Sequence, residues 1–303
     1  MKIYNSLKEF NPGFKTIVTI GTFDGVHIGH QYIIKYLNDI AKNEGGESVL
    51  LTFHPHPRHV LYPENQDLKL IDTLLEKKEK LAAAGLQNLI IHPFSTDFAK
   101  TKSVNFVRDI LVDKINLHYL VVGHDHHFGK NREGTFEDLH TLSKTYEFTV
   151  DQIPAQALDD ISVSSTKIRN LLDAGDIIKS NKYLGSEFTL TGLVEHGNKL
   201  GRTINFPTAN LKLEKNKIIP RAGVYLVKVS FNSLYLFGML NIGELTNKIE
   251  VHIFDFSQNI YDSKIKIYFI ERIRDGKDFA NSISLKEQLK IDEVICREII
   301  KSI

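Results

Sequence analysis

Thr16-Ile-Val-Thr-Ile-Gly-Thr-Phe-Asp-Gly-Val-His-Ile-Gly-His30 is the stretch from which the fold of the first half can be read. Its first five residues form an apolar, β-branched run of strand type. A helix-period pattern follows, with Ile33, Ile34, Leu37, Ile40 and Ala41 on one face. Between them, where a strand gives way to a helix N-terminus, lie Gly25, His27, Gly29 and His30. Unpaired backbone N–H groups and the positive end of the helix dipole meet at such a place, which suits phosphate. Glycines let a triphosphate approach the backbone, and imidazoles donate hydrogen bonds to its oxygens.

Outward from this turn the pattern repeats. Apolar runs at 17–20, 48–53, 88–92, 119–122 and 148–153 read as short buried strands. Helical patterns separate them: one beginning at Ile33, one from about Ile71 to Ala84 closed by Gly85, and one from near Ser103. Strands alternating with helices predict a parallel sheet covered on both faces, with ligands beyond the carboxyl ends of the strands. From Glu187 the pattern changes to strand-like alternation and tight turns, at 188–194, 224–231, 234–240, 249–256 and 264–270. Asn232-Ser233 and Ser257-Gln258-Asn259 are short enough to predict hairpins, and the whole predicts an antiparallel barrel. A terminal helix is expected, opened by Ser284 with Glu287 three residues on as a capping box, with Leu285, Leu289, Ile295 and Ile299 on its apolar face. The expected domains are 1–182 and 183–303.

Composition excludes several classes. At 303 residues there is room for two cores, and 42% hydrophobic with 25% charged residues is a globular balance. A formal net charge of +1 provides no electrostatic basis for a nucleic-acid or membrane-surface partner. A single cysteine, Cys296, forbids an internal disulfide and fits a reducing compartment. Met1 to Asn11 mixes Lys, Glu and Asn among apolar residues, unlike a signal peptide, and no run approaches 18 apolar residues. A cytoplasmic protein is expected; its oligomeric state is not legible.

Neither Gly-x-x-x-x-Gly-Lys-Ser/Thr nor Gly-x-Gly-x-x-Gly occurs, so phosphate is handled by another device. A second candidate is Ser162-Val-Ser-Ser-Thr-Lys-Ile-Arg169, in which Ser164, Ser165 and Thr166 precede Lys167 and Arg169 at a helix start. Hydroxyls at an N-cap and cations one turn on suit a polyphosphate. Read with Gly21-Thr-Phe-Asp-Gly-Val-His27-Ile-Gly-His30, this string resembles the nucleotidylyltransferase superfamily. Leu51-Thr-Phe-His-Pro-His-Pro-Arg58 and Val122-Gly-His-Asp-His-His-Phe-Gly129 narrow the resemblance to the adenylyltransferase half of bacterial bifunctional riboflavin kinase/FMN adenylyltransferases. The resemblance implies a Rossmann-like domain in which the FMN phosphate attacks the α-phosphate of ATP, yielding FAD and pyrophosphate. It implies that His27, His30 and Arg169 act on the triphosphate, with Gly21, Phe23, Asp24, Gly29, Ser164, Ser165 and Thr166 around ATP. Phe53 and Asp125 fall near flavin or ribose. No general base is required, because the nucleophile is already an anion.

In the second half the strongest string is Gly192-Leu-Val-Glu-His-Gly197-Asn-Lys-Leu-Gly201-Arg202-Thr-Ile-Asn-Phe-Pro-Thr208-Ala-Asn210. Its glycines permit backbone approach to phosphate, and Thr and Asn offer oxygen ligands of the kind Mg²⁺ takes. Followed by Pro220-Arg-Ala-Gly-Val-Tyr225, Asn241-Ile-Gly243 and Ile249-Glu-Val-His-Ile-Phe-Asp-Phe256, it resembles the riboflavin kinase domain. The resemblance implies that Glu250 takes the proton of a ribityl hydroxyl. It places Thr208 and Asn210 on Mg²⁺ and ATP phosphates, Gly197, Gly201 and Arg202 in the phosphate loop, and Arg274 with the 275–289 stretch at the flavin.

The chain departs from the family pattern at four points. Asp125-His-His-Phe-Gly129 stands where Asp-Phe-Arg-Phe-Gly is usual, Asn205 stands where Gly precedes the Phe-Pro-Thr motif, and Asp262 replaces a Gly after Tyr261. After Gly243 the loop is short and lacks the usual Pro-Thr-Phe. The expected function is therefore bifunctional, riboflavin to FMN and FMN to FAD, with riboflavin, FMN/FAD and ATP as partners and Mg²⁺ as cofactor. The alternative is an FMN adenylyltransferase whose C-terminal module only binds flavin or is a weak kinase. A nucleotide- or RNA-binding regulator is disfavoured by the near-neutral charge.

Overall fold

A computed structural model of the chain describes residues 1–64, 67–123, 127–153, 163–197, 201, 205–244 and 248–303. These form two compact units, residues 1–70 with 77–164 and residues 71–76 with 165–303.

In the first unit, β1 (Lys2–Tyr4), β2 (Thr16–Ile20), β3 (Glu47–His54), β4 (Asn88–Pro93), β5 (Leu117–Val122) and β6 (Thr149–Gln152) form one sheet. All neighbours are parallel, in the order β1-β4-β3-β2-β5-β6. The five expected strands are present, and β1 is an addition, three residues too short and too polar to announce itself. Every residue of β2 is buried, as a central strand covered on both faces requires. The helix α1 (Ile28–Glu44) lays Ile34, Leu37 and Ala41 into the core and ends at Gly45, whose φ of 65° makes the left-handed cap. Pro57–Leu61 forms the short α2, and α3 (Leu74–Ala83) begins after Thr73 rather than at Ile71. Thr73 and Glu76 there bond each other's backbone N–H reciprocally, a capping box. The helix expected near Ser103, α4, starts as one α turn (Ser103–Asn105) and continues as a π-helix over Phe106–Val112. It buries Phe106, Val107 and Leu111. The helix α5 (Phe136–Tyr146) opens on a second capping box, Thr135 with Asp138.

The second unit contains α6 (Ser165–Ala174), α7 (Ile177–Leu184), a barrel and α8 (Ser282–Ser302). The barrel strands are β7 (Thr189–Glu195), β8 (Ala209–Leu213), β9 (Gly223–Phe231), β10 (Leu234–Ile242), β11 (Ile249–Ile253) and β12 (Lys264–Arg274). They close in the order β10-β11-β8-β7-β12-β9, every pair antiparallel. Asn232 and Ser233 form the expected hairpin turn, both with positive φ (47° and 66°), as a type I′ connection requires. The hairpin expected at Ser257-Gln258-Asn259 does not exist. The flanking strands β11 and β12 pair with other partners, because closing the barrel inserts β8 and β7 between them. β8 is a strand the sequence patterning missed.

The terminal helix also corrects two expectations. Its N-cap is Asn281, whose Oδ1 accepts from the N–H groups of Ile283 and Ser284, so the helix starts before Ser284. Leu285, Leu289 and Ile299 pack with Cys296 against the barrel, whereas Ile295 is turned outward at 37% exposure. A buried ion pair holds the start of α3 within this unit. Lys217 Nζ donates to Glu76 Oε2 at 2.6 Å with both side chains fully enclosed, and Thr191 Oγ1 donates to Glu76 Oε1 at 2.8 Å. Burial pushes the Glu76 carboxyl up, but Lys217 and the bonds from Thr73 and Thr191 outweigh it and leave the carboxyl below its ordinary value.

Candidate active sites

In the first unit the sheet order reverses at β2, whose neighbours are β3 on one side and β5 on the other. The carboxyl end of β2 therefore opens at a topological switch point, the position where parallel sheets bind ligands. The turn that follows has a constrained backbone. Phe23, Gly25 and Val26 all have positive φ, at 47°, 88° and 40°. Left-handed backbone at a β-branched valine is disfavoured and persists only where its surroundings hold it. Three bonds do so. Lys77 Nζ and Thr52 Oγ1 both donate to the Thr22 carbonyl, at 2.7 and 3.3 Å, and Gln31 Nε2 donates to the Val26 carbonyl at 2.8 Å.

The turn delivers three stacked rings. His30 lies 4.5 Å from Phe23 and 3.6 Å from His27, centroid to centroid, with interplanar angles of 25° and 18°. His27 is the N-cap of α1: its Nδ1 accepts from the His30 N–H at 3.4 Å, which assigns its own proton to Nε2 as a donor. His30 Nδ1 is buried with no hydrogen-bond partner among the described residues. Burial, and then the neighbouring His27 and Lys77, hold the His30 imidazole well below its usual pKa, so the ring is neutral at pH 7. An arriving polyphosphate, bringing negative charge, favours the protonated ring. Asp24 is buried at 1% exposure, and Gly21 precedes the turn with its N–H donating to the Leu51 carbonyl. Gly29 sits where a Cβ would come 3.4 Å from Val163 Cγ1, which brings the front of the serine-rich string to the start of α1.

At the carboxyl ends of β3 and β4, Phe53 joins an aromatic cluster suited to a flat ring. Its ring lies 5.6 Å from Phe94 and 5.5 Å from Phe98, and His92 lies 4.8 Å from Phe98. Burial lowers the His92 pKa, and its Nδ1 has no partner among the described residues. Ser164 ends the first unit, while Ser165, Thr166 and Arg169 belong to the first turns of α6 in the second. Lys167 stacks 4.9 Å above the Tyr183 ring. Asp125 and Arg202 lie outside the described residues.

In the barrel, Glu250 is half-buried on β11, and strand register sets it directly between Asn210 of β8 and Asn241 of β10. Directly paired residues on one face of a sheet share one environment. These three side chains line a cavity of about 320 Å³, together with Thr208, His252 and Arg274. Among the described residues the Glu250 carboxylate has no hydrogen-bond or ion-pair partner, which leaves it available to an incoming hydroxyl. Arg274 is held in a two-pronged bond to the fully buried Asp292 of α8, at 2.8 and 2.7 Å. Lys277, Phe279, Leu285 and Leu289 complete the wall. A second cavity of about 350 Å³ opens next to the first, lined by Pro207, Val251, Phe256 and Tyr261, and Thr208 belongs to both.

His252 and Lys77 are residues the sequence reading missed. His252 Nδ1 bonds the Pro207 carbonyl at 2.8 Å and so fixes the residue before Thr208. Its place two residues after Glu250 on one strand face was the available signal. Lys77 offered none: in Glu76-Lys-Lys-Glu-Lys80 it reads as one solvated charge among several.

The chemistry of the donor set fits a hard divalent cation. The Thr208 hydroxyl and the Asn210 carboxamide are neutral oxygen ligands, and such a cation takes its remaining ligands from phosphates and water. No group of three or more His, Cys, Asp or Glu residues able to hold a metal occurs among the described residues. Gly197 is as small as Asn210 requires, since a Cβ there would fall 2.0 Å from Asn210 Nδ2. Gly197→Ala is expected to lower riboflavin phosphorylation roughly tenfold to a hundredfold by displacing that carboxamide. FAD formation from supplied FMN, assayed on the same preparation, stays at the wild-type rate.

A switch-point phosphate turn and a barrel carboxylate beside oxygen donors define the class: an ATP-using transferase with two separate centres. Comparison with known proteins narrows it. The family model for FAD synthetase matches residues 12–167 and that for riboflavin kinase matches residues 184–300. The chain belongs to the bifunctional riboflavin kinase/FMN adenylyltransferase family. Relatives of that name from Haemophilus influenzae and Bacillus subtilis are 36% and 35% identical, over 91% and 92% of this chain and 91% and 90% of their own. One from Buchnera aphidicola is 32% identical over 97% of this chain and 96% of its own. A Streptococcus pneumoniae crystal structure described as a macrolide-efflux protein superposes with a TM-score of 0.86 at 32% identity, covering 97% of this chain and 98% of that one. Among the described residues here, no helix is long and apolar enough to cross a membrane.

Proposed function

We propose that the chain makes FMN from riboflavin and FAD from FMN, consuming ATP in both steps. The observation that carries this is the register that sets Glu250 between Asn210 and Asn241 in a cavity shared with Thr208. Riboflavin occupies this first cavity, its ribityl hydroxyl against Glu250, and ATP the second, so that the γ-phosphoryl group arrives at Thr208. Glu250 takes the hydroxyl proton as the oxygen attacks the γ-phosphorus, and ADP leaves. Thr208 and Asn210 would hold Mg²⁺, with Gly197, Gly201 and Arg202 shaping the phosphate loop, and the ion would supply neutralisation of charge on the phosphates. Arg274 holds the flavin side.

In the other centre a phosphate oxygen of FMN attacks the α-phosphorus of ATP and pyrophosphate leaves. His27 and His30 donate to the ATP phosphates, and Gly21, Phe23, Asp24 and Gly29 form the turn around the nucleotide. Ser164, Ser165, Thr166 and Arg169 keep the polyphosphate role their motif implies, and Phe53 and Asp125 the flavin or ribose role. The functional division is placed at 1–182 and 183–303, with α6 counted on the adenylyl-transfer side for the groups it carries. The protein works in the cytoplasm.

The alternative, an adenylyltransferase with an inactive kinase module, is motivated by the short loop after Gly243. Incubating purified protein with riboflavin, ATP and Mg²⁺ and separating the products decides between them. Both FMN and FAD are expected; FAD only from supplied FMN establishes the alternative.

A further inference from the structure

The turn between β2 and α1 is held by a residue outside the histidine motif. Lys77 lies on α3 at 7% exposure, and a buried ammonium is costly unless it is paired. Its Nζ donates to the Thr22 carbonyl at 2.7 Å, immediately before the left-handed Phe23. Phe23 in turn stacks on His30, and His30 on His27. The position of the two imidazoles is therefore transmitted from Lys77 through one carbonyl and one ring. Thr52 Oγ1 donates to the same carbonyl at a longer 3.3 Å, so Lys77 is the stronger of the two clasps.

We infer that Lys77 is a positioning residue for adenylyl transfer, setting the Thr22–Phe23 backbone so that His27 and His30 face the polyphosphate of ATP. The inference rests on reading this turn as the ATP site. Its charge adds to the effect, since Lys77 lies close enough to His30 to help keep that ring neutral before ATP arrives. The carbonyl needs a donor that reaches it, so arginine substitutes in part and methionine, similar in bulk, does not.

The test uses the full-length protein and follows FAD formation from FMN beside riboflavin phosphorylation. Lys77→Met is expected to lower kcat for FAD formation about tenfold to a hundredfold. The KM for FMN stays near wild type, because the Phe53 cluster is untouched, and riboflavin phosphorylation is unchanged. Lys77→Arg recovers most of the loss, and Thr52→Val costs only about threefold, as the weaker donor should. Folded Lys77→Met with wild-type kcat overturns the proposal, as does folded Lys77→Arg that is no better than Lys77→Met. Should Lys77→Met not fold, Thr52→Val decides: a lowered kcat upholds the proposal and an unchanged one overturns it. Wild-type protein that makes no FAD from FMN and ATP defeats instead the reading of the turn as an ATP site.

Discussion

Glu250→Gln protein is expected to lose riboflavin phosphorylation by about 10²- to 10⁴-fold, the usual worth of a positioned general base. Glutamine keeps the shape and the strand register with Asn210 and Asn241 but cannot accept the hydroxyl proton. The loss should fall on kcat, with the KM for riboflavin little changed, because the cavity wall around the flavin is intact. The same preparation, given FMN, should make FAD at the wild-type rate, since that nucleophile is already ionised. Equal loss of both products would show that Glu250 serves the fold and not the proton.

His30→Ala has the complementary outcome. FAD formation is expected to fall about 10²- to 10³-fold, the effect of removing one preorganised donor from developing charge. Riboflavin phosphorylation continues, so FMN accumulates in a reaction that starts from riboflavin. The magnitude follows from the setting of the ring: a neutral imidazole stacked between Phe23 and His27, with its Nδ1 buried, is already oriented, and the site spends little further to hold it. An exposed histidine would be worth much less. FMN failing to accumulate, with both products reduced alike, would contradict the allocation of His30 to one centre.

Both candidate sites could be proposed from the chain because their motifs are local. His27 and His30 are three residues apart at a strand-to-helix junction, and Thr208 and Asn210 are two apart at the start of a strand, so each pair is brought close by local geometry alone. Glu250 was legible from its motif, yet its setting between Asn210 and Asn241 was not, because that depends on which strands become neighbours. The failed hairpin at 257–259 has the same origin. A short loop predicts pairing of its flanks, but closing this barrel gives β11 and β12 other partners. β1 is three residues long and half-exposed, so no periodicity could announce it. Ile295 fits the helical stripe by spacing, yet the barrel covers only the part of the stripe around Leu285, Leu289, Cys296 and Ile299. Lys77 acts through a backbone carbonyl distant in sequence, which nothing local marks, whereas His252 was signalled only by sharing a strand face with Glu250.

By itself the sequence determined most of the longer strands and helices, that a parallel sheet precedes an antiparallel barrel, and which residue types could meet phosphate. Those follow from periodicity and short spacing, which act within a few residues. Only the tertiary structure decided the barrel order, the buried clasp of Lys77 on Thr22, the neutral state of His30 and the neighbours of Glu250. Pairing across long loops and the loss of water on burial depend on which distant segments come together, and composition alone cannot express that.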